Sequence, residues 1–429
     1  MAKVPDSRLT ALKFTGGIDN RSHETQLDPT FVRRAENVDI DIDGVVTVRQ
    51  GYAQIKALAN AHSLWGSDLL AFCLVADSTS LYALYPDGAL DALVTGLAGS
   101  DMSYALVAGR VHWSNGYQSG VITSQGIAMP WGVEAPLPSF SAAPSSTGGM
   151  FGGTYGVTVT FANALREESG ASGPVFVDVP DGGGIQLRNV PAPLASGPVE
   201  ARVYVTTANG TDLQYFASCA PGASSFSIGA HAPGRLLTTL FHDQFPPSKF
   251  LLAKHGRIFG AIKRQVMWSH PMYYGLYDNT KNFLMMPGDV TMLAAPESPR
   301  FIVYVSTASK VYALQGDSIA TATLSVVSNQ GAIPGSMAML PAEVMGMESI
   351  IAPVPVWVGG DGLPYVGTDQ GVLPLHKVFT YPIFDKASAI FAQTNGDSRY
   401  IVSGRGGRPS GLVATDTFVA AVYNNGGGN

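Results

Sequence analysis

Phe250-Leu251-Leu252-Ala253, Lys254-His255-Gly256-Arg257, Ile258-Phe259-Gly260-Ala261-Ile262: this stretch decides the fold. Two apolar runs, each too short for a helix, flank a polar tetrapeptide that contains glycine. A third run, Val266-Met267-Trp268, follows after Lys263-Arg264-Gln265. Short apolar runs separated by turn residues are the mark of paired strands. The same grammar recurs five times more. Leu69–Val75, a turn at Ala76–Ser80 and Leu81–Tyr85 close on Pro86-Asp87-Gly88. Tyr104–Val107 turns through Ala108-Gly109-Arg110 into Val111–Trp113. Phe301–Val305 with Val311–Leu314, and Val354–Val358 with Tyr365–Val366, are two more units. The last is Tyr400–Val402, a turn at Gly404–Arg408, Leu412–Ala414 and a further strand at Phe418–Tyr423. Each unit can bury only one face and needs neighbours, and radial stacking of such sheets gives a β-propeller. A single two-sheet sandwich competes, but about six units spread over this length of chain fit a propeller better. The only helical expectation is a short one over Pro29–Glu36.

One region breaks the rhythm. Pro136–Gly153 is rich in Pro, Ser, Gly and Ala and reads as a linker. After it come Tyr155–Phe161, Pro174–Val179, Gly184–Leu187, Ala201–Thr206, Leu213–Ala217 and Ser224–Ile228. Strands this closely spaced suggest a small β-sandwich resembling fibronectin type III. The expected fold is therefore all-β: a β-propeller of about six blades with an inserted fibronectin type III-like β-sandwich. The expected domains are residues 1–135 (N-terminal arm and first blades), 136–239 (linker and sandwich) and 240–429 (remaining blades and a flexible tail ending Gly426-Gly427-Gly428-Asn429). The segment Val45–Gly51 is expected to close the ring by pairing with a late strand.

Charged residues are only 14% of the 429, against roughly 25% for soluble domains. Interface cores are depleted in charge, so the composition favours a subunit of an assembly. The net charge of -6 does not ask for tightly held nucleic acid, though it suits DNA that passes without sticking. Two cysteines, Cys73 and Cys219, are too few for a disulfide framework or a zinc site and read as buried thiols. No signal peptide is visible and no apolar run is long enough to span a membrane, so synthesis in a reducing cytoplasm is expected.

Three segments, taken in order, resemble a known family. Gly16-Gly17-Ile18-Asp19 precedes Arg33-Arg34-Ala35-Glu36-Asn37-Val38-Asp39 and Asp43-Gly44-Val45-Val46-Thr47-Val48-Arg49-Gln50-Gly51-Tyr52. Gly153-Thr154-Tyr155 through Arg166-Glu167-Glu168-Ser169 precedes Arg202-Val203-Tyr204-Val205-Thr206-Thr207. Val266-Met267-Trp268-Ser269-His270-Pro271 is followed by Tyr277-Asp278 and Asn282-Phe283. Together they resemble the β-propeller tail nozzle and packaged-DNA stabilisation proteins of short-tailed bacteriophages. The resemblance implies a structural virion protein of the phage tail and a homo-hexameric ring whose lumen passes or retains genomic DNA. It also implies contacts to a tail adaptor protein and to tail fibres or spikes, and transient contact with phage DNA. A tail receptor- or glycan-binding module and a propeller glycosidase are the alternatives.

Candidate constellations have plain structural readings beside the chemical ones. Asp39-Ile40-Asp41-Ile42-Asp43-Gly44 matches the start of a calcium loop, but Gln50 stands where the last ligand should be Glu, and an Asp-Gly hairpin explains the residues. Lys249, Lys254, His255, Arg257, Lys263 and Arg264 form a dense basic cluster, read as hairpin tips or as a DNA-facing patch. His242-Asp243 and His270 invite a triad, but no Gly-x-Ser-x-Gly nucleophile turn is present. Glu134, Glu167 and Glu168 do not define a glycosidase pair, and Glu167-Glu168 are expected on an exposed loop. Trp113, Trp131, Trp268 and Trp357 could line a sugar face, or pack between blades. Gly152-Gly153 and Gly182-Gly183-Gly184 lack the following Lys-Ser/Thr of a phosphate loop. No catalytic, cofactor-binding or metal-binding residue is assigned, and no cofactor is expected.

Overall fold

A computed structural model describes residues 13–41, 43–49, 53–194, 197–230, 234–345, 347, 352–376, 378–394, 397–407 and 418–421. The chain divides into two compact units, residues 58–285 and residues 1–57 with 286–429. The fold is all-β, of propeller type. Among the described residues five four-stranded sheets are antiparallel meanders whose strands neighbour in chain order, which is the construction of a propeller blade.

In residues 58–285, blade one is Ala61–Trp65, Cys73–Asp77, Ser80–Leu84 and Leu90–Val94, and blade two is Ser103–Val107, Arg110–Ser114, Ser119–Thr123 and Ala128–Met129. Blade three is Lys249–Lys254, Arg257–Ile262, Gln265–Trp268 and Phe283–Met285. In the other unit, blade four is Val290–Ala294, Phe301–Thr307, Val311–Gly316 and Thr323–Ser328. Blade five is Ala338–Leu340, Val354–Val358, Pro364–Gly367 and Val372–Pro374. A sixth sheet has three strands, Phe384–Thr394, Asp397–Gly407 and Phe418–Ala421. Five of the six hairpin units read from the sequence therefore fall in separate four-stranded sheets, and Tyr400–Val402 of the sixth lies in the three-stranded one.

The turns follow from backbone chemistry. Ala108-Gly109 and His255-Gly256 both have positive φ at each position (51° and 71°, 47° and 68°). Two successive left-handed residues make the hairpin turn whose twist matches that of the strands. Period-two alternation then puts every second side chain against the next blade. Leu74 and Leu81 of blade one pack with Val111, Trp113 and Ile122 of blade two. Ala105 and Val121 of blade two pack with Leu251, Ile258 and Met267 of blade three. Ile302 and Tyr304 of blade four join Trp357 of blade five, and Val354, Val356 and Val366 join Tyr400 and Val402 of the sixth sheet. Each core is thus a seam between consecutive sheets.

Between blades two and three lies a seven-stranded sandwich. Ser141–Met150, Gly183–Arg188 and Ser225–Ile228 form one sheet. Val175–Val179, Gly153–Asn163, Pro198–Val205 and Gln214–Cys219 form the other. Tyr155, Val157, Val159, Phe161, Ile185, Leu187, Val203 and Val205 fill the space between them.

Several expectations are corrected. Pro29–Glu36 is not a helix: Phe31–Val32 pairs in parallel with Gly17–Ile18, and the Asp28 carboxylate fixes a turn by accepting from the Thr30 amide and hydroxyl. A segment this short cannot repay helix nucleation. The 136–153 linker contains a ten-residue strand, Ser141–Met150, at the edge of its sheet, where Pro144 is tolerated because no partner needs its missing N–H. The turn expected at Gly404–Arg408 is strand as far as Gly407. Cys73 is exposed, not buried, while Cys219 is half-buried at the sandwich core. Among the described residues no ring-closing strand is found: Val46–Val48 pairs with Val38–Ile40, its own hairpin neighbour. The N-terminal arm is instead tied to later residues by side chains. Asn20 Nδ2 donates to the Thr380 carbonyl (2.8 Å), its Oδ1 accepts from the Thr380 amide (3.0 Å), and Arg399 pairs with Asp39 (2.9 Å). Leu412–Ala414 and the tail Gly426–Asn429 lie outside the described residues.

Candidate functional site

The polar groups that the structure gathers lie along the seam between the sandwich and the blades, all within residues 58–285. The chain leaves blade two through Trp131 and returns through Phe245, and these rings stack at 5.0 Å with 25° between planes. Trp131 Nε1 donates to the Tyr274 carbonyl (2.9 Å), and Gln244 Nε2 donates to the Trp131 carbonyl (2.7 Å). Exit and return run side by side, which is why a whole domain can be inserted without opening the blades. His112 is wedged edge-on against Trp131 (5.1 Å) and Tyr274 (5.7 Å). Burial pushes its imidazole down to about 4, so it stays neutral near pH 7.

The second element is the loop that follows Gly153–Asn163. Thr160 and Arg202 are cross-strand neighbours, as are Thr158 and Tyr204, so four polar side chains share the outer face of the four-stranded sheet. That face would be solvated in an isolated sandwich. Here residues 163–172 turn back along the edge of Gly153–Asn163, where the Ser169 and Ser172 amides donate to the Phe161 and Val159 carbonyls, and cover the face with the Glu168 side chain; Asn163 Oδ1 holds the turn by accepting from the Leu165 and Glu167 amides. Glu168 is driven into the polar face. It accepts from Thr160 Oγ1 (2.7 Å), the Tyr204 hydroxyl (2.6 Å), Arg202 Nη1 (2.7 Å) and Arg235 Nη2 (2.7 Å). Burial alone pushes the carboxyl up, but the two hydroxyls and two guanidinium groups outweigh it and hold Glu168 below the usual carboxylate range. Glu168 is therefore not on an exposed loop; its side chain is 13% exposed, against 44% for Glu167. Arg235 belongs to the segment returning from the sandwich, which adds along Gln214–Cys219 through Tyr215 N–H to Arg235 O (2.8 Å) and Leu237 N–H to Leu213 O (2.9 Å). One carboxylate thus ties the covering loop, the sheet and the return segment together.

The third element is the two-stranded ladder of His242–Gln244 with Leu276–Asp278. It does bring together the residues singled out in the sequence. The His242 and His270 rings are 5.2 Å apart, and Asp278 lies opposite His242. Asp243 accepts from Asn279 Nδ2 (2.5 Å) and Asp278 accepts from the Thr280 amide and hydroxyl. No serine hydroxyl bonds to either imidazole among the described residues, and the Ser269 hydroxyl is taken up by the Ile258 amide. The group lacks the nucleophile–base contact of a triad.

Other candidates separate. Lys254, His255 and Arg257 sit at one end of blade three, Lys249, Lys263 and Arg264 at the other, about 17 Å of strand away. The basic cluster is two hairpin ends, not one patch. Trp131, Trp357 and Trp113 are 1%, 0% and 4% exposed, so these rings are packing and offer no sugar-binding face; Trp268 is half-buried against Phe259. Asp39 pairs with Arg49 and Arg399, and Asp41 caps the turn to Val45, so the acidic stretch is a hairpin. No group of three or more His, Cys, Asp or Glu side chains could hold a metal among the described residues. Glu134 joins neither the Glu168 cluster nor the histidine pair in any described contact. No helix among the described residues is long and apolar enough to cross a membrane.

The sequence reading missed the Glu168 lock. A signal was there: Arg202 and Tyr204, two apart on a strand otherwise built for burial, must face the same side.

Comparison of the sequence with protein families and with curated proteins finds no match. Among solved structures, the chain is similar to a streptogramin B lyase (8% identity, 80% of this chain and 90% of that one, TM-score 0.34). It is also similar to the Neurospora crassa Pan2 WD40 domain (8% identity, 80% and 85%, TM-score 0.31). The fold assignment rests on the strand order and registers above.

Proposed function

We propose that this chain is a structural subunit of a phage tail, part of the distal tube or nozzle ring through which genomic DNA passes or is retained. It works as a homo-oligomer, hexameric by the family resemblance, and performs no catalytic step. The tail assignment is supported by the three ordered segments. Assembly is supported by one observation above others, the ribbon of Val38–Ile40 and Val46–Val48. Val38 faces Val48 and Ile40 faces Val46 across the ladder, so all four share one side. Val46 (43%) and Val48 (83%) on that side are turned to solvent and Val38 and Ile40 are half-buried, while Asp39 on the other side is held by Arg49 and Arg399. A ribbon of three residues per strand is marginal alone. An apolar face turned outward and braced from behind by ion pairs suits contact with another protein surface. The low charge of the chain agrees.

Light scattering on the purified full chain tests this. The expected result is an oligomer at roughly 50 μM that Val48→Asp shifts towards monomer with an unchanged circular dichroism spectrum. A wild-type monomer at that concentration would count against self-assembly through this ribbon.

A further inference from the structure

Beyond the contacts of Arg235 and Leu237, the sandwich meets the returning chain again close to His242. Gly170, in the covering loop, lies directly on the His242 carbonyl: a Cβ there would sit 1.6 Å from that oxygen, so only glycine fits. Next to it, the Thr239 carbonyl accepts from both the Ala171 amide (3.2 Å) and the His242 amide (3.1 Å). One acceptor serves both sides of the seam, so a shift of His242 disturbs the loop as well.

His242 stands in an unusual setting. Its Nδ1 is buried without a hydrogen-bond partner. His270 lies edge-to-face at 5.2 Å, and Tyr273 packs on His270 at 5.7 Å. The charged groups around the pair are Asp243 on the same strand, Asp278 on the opposite strand, and Lys281, which is 4.0 Å from Asp278. Tyr277, also on the opposite strand, is the remaining titratable neighbour. The covering loop contributes only backbone at Gly170 and Ala171; its Glu167 is turned to Arg110 (3.8 Å). Asp243 is engaged by Asn279 and Asp278 by Thr280, so neither is hydrogen-bonded to the His242 ring.

We propose that His242, packed against His270, is an acid-sensitive release point: when the His242 imidazole takes up a proton, the ladder shifts and the sandwich loop 163–172 parts from Thr239 and His242. A charge on this half-buried ring is poorly solvated, and the unpartnered Nδ1 gains a proton it can satisfy only by reaching water. Burial first, and the neighbouring His270 second, lower the His242 pKa and outweigh the two carboxylates. A histidine with a depressed folded-state pKa stabilises the folded contact above its unfolded value of about 6.5 and loses that contribution as the pH falls through and below it. The Glu168 lock titrates below the usual carboxylate range, so mild acid acts on His242 first.

Hydrogen exchange on the full chain at pH 7.5 and 5.5, corrected for intrinsic rates, tests this. Protection in peptides covering 163–172 and 234–245 is expected to fall by about tenfold or more at the lower pH, with Cys73–Leu84 of blade one as an unchanged reference. His270→Gln, which removes the imidazole that lowers the His242 pKa, and His242→Phe, whose ring is neutral at every pH, should each keep most of the protection at pH 5.5. Equal protection of the wild type at both pH values would overturn the proposal. So would a loss in both variants as large as that of the wild type.

Discussion

Glu168→Ala is expected to destabilise the sandwich by about 3–5 kcal/mol, the cost of stripping a buried ion pair of one partner. The Arg202 side chain is only 12% exposed and keeps Glu200 as a second acceptor at 2.5 Å, so its charge is not wholly abandoned. The Thr160 and Tyr204 hydroxyls, however, lose their shared acceptor, and Arg235 is left with the Tyr204 hydroxyl (3.0 Å) and the Tyr215 ring. Differential scanning calorimetry should show the sandwich melting earlier, with the blades less affected. Glu168→Gln, which retains an acceptor oxygen, should fall between wild type and alanine. The carboxyl is held below its usual range, so the lock is intact above the unfolded value of about 4.3 and is lost as the pH falls through the lower folded value. If Glu168→Ala melts like the wild type, the side chain contributes nothing net and the covering loop is held by its backbone with Asn163, Ser169 and Ser172.

Trp131→Ala is the other large effect, expected at about 3–5 kcal/mol for an emptied aromatic site. The ring is fully enclosed, stacked on Phe245, edge-on to His112 and hydrogen-bonded to the Tyr274 carbonyl. Its loss opens the place where exit and return chains meet and leaves a buried carbonyl unpaired. Water entering there should also raise the depressed His112 pKa, which NMR titration of the imidazole would report. Trp131→Phe should recover most of the stability but not the hydrogen bond. A His112 titration unmoved in Trp131→Ala would mean that Tyr274 and the strands alone keep the imidazole dry.

Where apolar residues alternate, the sequence was readable. Val354–Val358 is a strand from the first residue to the last, and Ala201–Thr206 falls within a residue of the C-terminal end of Pro198–Val205. Such positions announce themselves because one face is buried. Ser141–Met150 did not, because Ser, Ala and Gly bury little and leave no alternation to read; its pairing with Gly183–Arg188 is a tertiary fact. Phe384–Thr394 was missed for a related reason: Asp385, Lys386, Ser388 and Gln393 break its pattern, and it is recognisable only through its partner Asp397–Gly407. Of the candidate site, His242, Asp243 and His270 were visible as chemistry-bearing residues. What they contact was not, since Gly170 and Thr239 contribute backbone atoms that carry no sequence signature. Glu168 reads as a surface acid until the loop is known to cover a polar sheet face.

Immunogold electron microscopy of particles from the source culture, with antibody to this chain, tests the proposal that it is a built-in part of a phage tail. Gold clustered at the tail end is the expected result and would justify a symmetric reconstruction of the tail. Gold absent from both intact and disrupted particles would contradict the claim and remove the structural-virion reading.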